Sequence, residues 1–261
     1  MLQYDTIRFE TENNIARITL NRPETRNAFD EKMIAELRRA FEGLVKMDNI
    51  RAVLLTGEGA VFSAGADIDW MRRMGQATFT ENHSDALMLA YMLDALASLS
   101  KPTMARVNGP AIGGGTGLVA ACDIVVADER AVFSFSEVKI GLVPACIAPY
   151  VLRRIGEGRA RQLFISGRRI SAMEALDYGL VDFVATEGNL DAKVEEILNQ
   201  LLSSGPLAIA TAKRLVRDVI TLSRKEYFEY TARMIANLRT SEEGREGIAA
   251  FLEKRKPKWV G

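Results

Sequence analysis

Two glycine-rich stretches, Phe62-Ser-Ala-Gly-Ala-Asp-Ile68 and Asn108-Gly-Pro-Ala-Ile-Gly-Gly-Gly-Thr-Gly117, hold the residues of this chain best suited to chemistry. A ligand oxygen reaches a main-chain N–H only where no side chain intervenes, and glycine also tolerates the dihedrals such an approach needs. The two stretches therefore predict the halves of an anion hole. After the second comes the apolar run Leu118-Val-Ala-Ala-Cys122, read as helical, so free N–H groups and a positive dipole end would face developing negative charge. Gly113-Gly114-Gly115 alone suits a flexible turn equally well. It lies, however, between two strand-like runs, Thr103-Met-Ala-Arg-Val107 and Ile124-Val-Val-Ala127, where strand–loop–helix folds place ligands. Neither of the common phosphate-binding glycine motifs fits here in register.

A proton-moving group is the second requirement, and Glu137 is the candidate. It sits among Phe133, Phe135, Val138 and Ile140, a setting that desolvates a carboxyl and raises its pKa if the side chain points inward. The alternative is an exposed glutamate on a half-buried strand. Other chemistry is scarce. There is one histidine, His83, near the start of a helical pattern over Ser84–Leu99, and it suits an exposed or capping role. The two cysteines, Cys122 and Cys146, read as reduced packing residues. No clustered set of three or four ligands for zinc exists, so no metal is expected.

The elements that must hold these groups alternate short β-like runs with helices as far as about Val184, which argues for an α/β core. Ala16-Arg-Ile-Thr-Leu20 and Ala52-Val-Leu-Leu-Thr56 read as strands. Between them a helix from Asp30 to about Met47 puts Met33, Leu37, Ala40, Phe41 and Leu44 on one face and Glu31, Lys32, Glu36, Arg38 and Arg39 on the other. Ser171 with Glu174 forms a capping box, and Gly179 ends that helix. Beyond about residue 188 the β-like runs cease. Helical stretches follow near 190–203, 206–222 and 224–238, with a last one from Thr240 that takes Glu243 as its capping acid. This divides the chain into a core, 1–188, and a helical tail, 189–261.

Lysine plus arginine and aspartate plus glutamate balance at 34 each, which removes the electrostatic footprint of a nucleic-acid or anionic-membrane binder. The basic stripe in Ala212-Lys-Arg-Leu-Val-Arg217 lacks aromatic stacking positions nearby. No apolar run reaches the roughly 18 residues of a membrane span, and no signal peptide opens the chain, so a cytoplasmic enzyme is expected.

The order and spacing of the two glycine stretches, with Phe135-Ser-Glu-Val-Lys-Ile-Gly-Leu-Val-Pro144, resemble the enoyl-CoA hydratase/isomerase (crotonase) superfamily. Asn21-Arg-Pro-Glu-Thr-Arg-Asn-Ala28 and Ala250-Phe-Leu-Glu-Lys-Arg-Lys-Pro257 also match its pattern, so the resemblance covers nearly the whole chain. It implies a β-β-α spiral core, a C-terminal helical region that packs against neighbouring subunits in trimers or hexamers, and a coenzyme A thioester as substrate with no resident cofactor. Residue by residue, it assigns the two N–H donors to Ala66 and Gly114 and the catalytic acid to Glu137. It implies coenzyme A contacts from Arg26 and the backbone around Ala28, Ala64, Asp67 and Ile68, with Phe251 and Lys254 closing over the nucleotide. Trp70, Met71 and Met74 would line the acyl pocket.

One departure matters. The usual hydratase carries a first glutamate two residues after its triple glycine, and Gly117 stands there instead. Either Glu137 serves both proton-transfer roles in a hydratase, or the chain is a double-bond isomerase moving a single proton. A catalytically inactive acyl-CoA-binding member is the third reading. Local text around Gly113–Ala120 and Gly141–Pro149 looks closer to bacterial methylglutaconyl- and isohexenylglutaconyl-CoA hydratases, which favours the hydratase. Gly117 would open room for a branched acyl chain. Ala145 stands where dienoyl isomerases and aryl dehalogenases carry an aspartate, which disfavours both.

Overall fold

The computed structural model describes residues 3–260 and divides them into two compact units. The first runs to Val194 apart from Ser100–Pro102; the second takes Ser100–Pro102 and the chain from Glu195 onward.

In the first unit, strands β1 (Ile7–Glu12), β2 (Ile15–Leu20), β3 (Ala52–Gly57), β4 (Thr103–Val107), β6 (Ile124–Asp128) and β9 (Phe183–Ala185) form one sheet in that spatial order. Only β1 and β2 pair antiparallel; the other neighbours are parallel. A second sheet joins β5 (Ala111–Ile112), β7 (Val132–Ser134) and β8 (Arg169–Ser171). Register explains the core. Ile18, Leu55, Ala105 and Val125 align across four strands and are all buried, whereas the next row, Thr19, Thr56 and Arg106, faces the other side.

Helix α1 (Glu31–Leu44) forms where the periodicity places it, started by Asp30, whose side chain accepts from Met33 N at 2.8 Å. Its apolar face is buried, but Glu36 is buried with it. Its carboxylate accepts from the amides of Asp5 and Thr6 and from Thr6 Oγ1 at 2.6 Å, which anchors the segment entering β1. Expected on the outer face, Glu36 is instead covered by chain that helical spacing alone could not foresee.

α2 (Ile68–Met74) and α3 (Phe79–Ala97) follow β3, and α4 (Gly114–Ala121) follows β5. α4 begins four residues before Leu118, so two of the three glycines form its first turn. His83 is exposed within α3 and stacks on Phe79. α5 (Ala148–Ser166), broken at Gly156, was not legible in the periodicity. α6 (Ala172–Tyr178) carries the expected capping box and ends on left-handed Gly179.

The helices α7 (Leu190–Ser203), α8 (Pro206–Val219), α9 (Arg224–Thr240) and α10 (Glu242–Leu252) match the expected tail, and the second unit starts within α7. Glu243 has a different partner from the one expected. α10 is capped by Ser241, while Glu243 accepts from Leu207 N and Ala208 N at 2.8 Å and caps α8 instead. No helix among the described residues is long and apolar enough to cross a membrane.

Candidate active site

The two glycine stretches are laced together by backbone. Ser63 bridges Ala111, Ser63 N donates to Pro110 O, and Ile112 N donates to Ser63 O at 2.9 Å. Glycine is demanded at two of these positions by close approach. A Cβ on Gly115 would lie 2.8 Å from Ser63 Cβ, and one on Gly65, whose φ is +89°, would lie 2.9 Å from Ile112 O. The residue after Gly65 is Ala66, and Gly113 and Gly114 follow Ile112. The segments that carry the amides of Ala66 and Gly114 are thus held against each other by packing that a side chain would forbid.

Each of these two amides is also left free by the geometry around it. Phe29 bridges Ala66 in parallel, with Phe29 N donating to Gly65 O at 2.6 Å and Asp67 N donating to Phe29 O at 2.8 Å. In such a pairing the intervening amide points the other way, and Ala66 N enters no backbone bond among the described residues. Gly114 is the first residue of α4, where an amide has no partner inside the helix. Gly113 before it adopts φ +52°, ψ −119°, which turns the chain so that the helix starts here. Ala66 and Gly114 are both half-exposed in a buried neighbourhood.

Glu137 opens a short 3-10 turn, Glu137–Ile140, and comes to the same place. Its Oε1 lies 3.1 Å from where a Cβ on Gly113 would be. Burial pushes its pKa above the usual carboxylate value. Oε2 is buried with no hydrogen-bond partner, a cost a fold retains where a ligand is to be met. Of the apolar residues expected around it, Phe133 and Phe135 are buried, whereas Ile140 is 62% exposed.

Gly117 corrects an expectation. It opens no room, because a Cβ there would sit 2.5 Å from Ile147 Cβ, and Ile147 is buried. Hydrocarbon occupies the space in which a second carboxylate would begin.

An unanticipated brace is Arg22. Its guanidinium donates to Ala28 O at 2.9 Å and pairs with Asp30 and Asp67, each at 3.0 Å, so one side chain ties the N-caps of α1 and α2 to the segment that bridges Ala66. Asp67 accepts from Asp69 N and Trp70 N, and together with Arg22 these contacts hold its carboxyl below the usual range against the opposing effect of burial. With its amide spent on Phe29 and its side chain on the cap, Asp67 serves as a brace. Ala28 likewise gives its carbonyl to Arg22.

Arg26 is exposed and, with Ala64, lines a cavity of about 270 Å³ walled by Val61, Pro110 and Ile112; Arg169 from β8 lines it too. Nothing in the sequence flagged Arg169, since it arrives from a different sheet. Ile68 is 70% exposed at the start of α2, and Trp70 is buried beneath that helix. Phe251 and Lys254, in the second unit, are both exposed, and Lys254 adopts a left-handed φ of +56°. A larger hollow of about 760 Å³ opens on the polar side of the first sheet, but its arginines are largely engaged, as in Arg106–Asp191 and Arg130–Asp128. The unpartnered carboxyl oxygen and free amides lie at the glycine stretches instead.

Two free amides beside a desolvated carboxyl could together move a proton next to a carbonyl whose oxygen gains charge. The family model for enoyl-CoA hydratase/isomerase matches residues 10–261, and the chain belongs to that family. It is an enzyme with the crotonase fold. An enoyl-CoA hydratase structure from Shewanella pealeana superposes with a TM-score of 0.95 at 37% identity, covering 98% of this chain and 97% of that one. Pseudomonas aeruginosa AtuE superposes with a TM-score of 0.95 at 34% identity over 98% of this chain and 100% of that one. Enoyl-CoA hydratase EchA19 of Mycobacterium tuberculosis is 34% identical over 244 residues, 92% of this chain and 91% of that protein.

Proposed function

We propose that the protein adds water across the 2,3 double bond of an enoyl-CoA thioester. Glu137 takes a proton from water as the oxygen bonds to C3, the enolate oxygen rests on the N–H groups of Ala66 and Gly114, and the carboxyl returns a proton to C2. Atoms balance, and the carboxylate ends as it began. The observation that carries this reading is the orphaned, buried Oε2 of Glu137 beside the start of α4. Two amides in place before charge develops are worth far more than in water, about 10²–10³ in rate for each donor.

The branched acyl chain rests on the resemblance of the local segments alone, now that the space at Gly117 is filled. Arg26 and Arg169 would meet the phosphates of coenzyme A, with the apolar wall between them taking the adenine. Homotrimers or hexamers, a cytoplasmic site and the closing of Phe251 and Lys254 over the nucleotide belong to the same proposal. Light scattering would report the assembly.

A double-bond isomerase is the second reading, favoured by Ile147, which leaves Glu137 as the acid at this place. Incubation with crotonyl-CoA and 3-methylglutaconyl-CoA in oxygen-18 water decides between them. Label in the product supports the hydratase, and α-hydrogen exchange with bond migration but no label supports the isomerase. No loss of the enone band and no exchange would sink both and leave an acyl-CoA-binding protein.

A further inference from the structure

The reaction leaves a second half-buried acid unused. Asp85, on α3, accepts a hydrogen bond at Oδ1 from the Trp70 indole N–H at 3.1 Å. No hydrogen bond to its Oδ2 is formed among the described residues, and burial raises its pKa. On another side stands Cys146, whose thiol is pushed up first by burial and then by the charge of Asp85. Cys146 Sγ donates to the carbonyl of Ala86, the residue after Asp85, at 3.5 Å. Glu31 also bears on Asp85, and it is engaged by Arg73 of α2 at 2.6 Å.

These contacts join particular elements. Trp70 belongs to α2, which starts two residues after the donor Ala66. Cys146 precedes Ile147, which fills the place beside Gly117 in α4, the helix begun by the donor Gly114. These segments adjoin the two proposed donors, so in the enoyl-CoA reading they border the acyl group of a thioester whose carbonyl oxygen rests there.

We propose that Asp85 is a positioning residue of the acyl side: by holding the Trp70 indole near the Cys146–Ile147 segment, it sets how long or wide an acyl chain the site accepts. This rests on the enoyl-CoA reading above. The test measures binding of coenzyme A, butyryl-CoA and octanoyl-CoA to the full chain by calorimetry, so that it does not depend on turnover. Asp85→Leu leaves Trp70 N–H without its acceptor and shifts the octanoyl-to-butyryl affinity ratio about tenfold, while coenzyme A binding is unchanged. Asp85→Asn keeps an acceptor oxygen and stays within about threefold of the original ratio. Trp70→Phe reproduces the Leu variant, and the double variant adds nothing, because both act through one contact.

Equal changes for both acyl chains, or additive effects of the two substitutions, would overturn the proposal. Should Asp85→Leu fail to fold, the Asp85→Asn and Trp70→Phe ratios still decide, since an unchanged ratio in Trp70→Phe also overturns it. Failure of the unaltered protein to bind any of the three thioester or thiol ligands strikes instead at the enoyl-CoA reading.

Discussion

Ile147 stands in the space that a side chain at position 117 would require, 2.5 Å from Ile147 Cβ to the place of the missing Cβ. The two positions are complementary: small on α4, branched on the segment before α5. Substitution of Gly117 by Glu therefore does not restore a second acid. Overpacking of this kind costs about 1–3 kcal/mol, and thermal melting should show that loss with no gain in hydration. With Ile147→Gly added, which removes the clashing Cβ as well as the branch, part of the lost melting temperature should return and oxygen-18 incorporation should rise; no recovery would mean another neighbour fills the site.

Glu137→Gln keeps the shape of the side chain but cannot carry the proton. Turnover should fall by about 10²–10⁴ with coenzyme A affinity nearly constant. Full activity in this variant, measured on crotonyl-CoA, would move the acid elsewhere.

The same variant has a stability signature. Burial raises the pKa of Glu137 in the folded state, so an ionised carboxylate there opposes folding. That penalty is fully present above the raised folded pKa and disappears once the pH drops below the ordinary glutamate value. Glu137→Gln should therefore melt higher than the parent at neutral pH, with the difference shrinking as the solution is acidified. A gap that widens on acidification would reverse the sign and show that the carboxylate is stabilised.

Gly114→Pro deletes one proposed donor at a position where a helix accepts proline. The Phe29 ring, 3.1 Å from the place of a Cβ, must yield slightly. A folded variant should lose about 10²–10³ in turnover. Circular dichroism beside the assay separates this from misfolding.

Arg22→Met should cost about 1–3 kcal/mol of stability, because Asp30, Asp67 and Ala28 O lose a shared donor, and turnover should drop with it as Ala66 loosens. Arg22→Lys should recover only part, since one ammonium cannot reproduce the planar fork. Equal melting and equal turnover in the Met variant would remove the brace from the account.

What could be read from the sequence was what neighbours in sequence decide. The buried stripe of α1, the cap at Ser171, the strands around the glycines and the inward turn of Glu137 follow from local pattern and spacing. The resemblance supplied the pairing of Ala66 with Gly114. What escaped was set by tertiary packing. Helical spacing points Glu36 outward because it carries no information about the chain entering β1 that lies across it. Gly117 suggests free space in the sequence because Ile147, which fills it, approaches from thirty positions further along the chain. Local spacing gives Glu243 to its own helix, yet the N-terminus of α8 takes it, and Arg169 joins Arg26 only through the second sheet.

The pairing of Phe29 with the chain around Ala66 also carries a constraint on length. Successive amides along an extended segment alternate in direction, and Phe29 engages the residues on either side of Ala66. Inserting or deleting one residue between Ser63 and Asp67 would exchange the parity, turning the amide that now faces outward from the pairing inward and presenting a different one to the ligand. Family members should consequently vary in size after Gly75 far more readily than within this stretch, and an alignment of their loop lengths would reveal it.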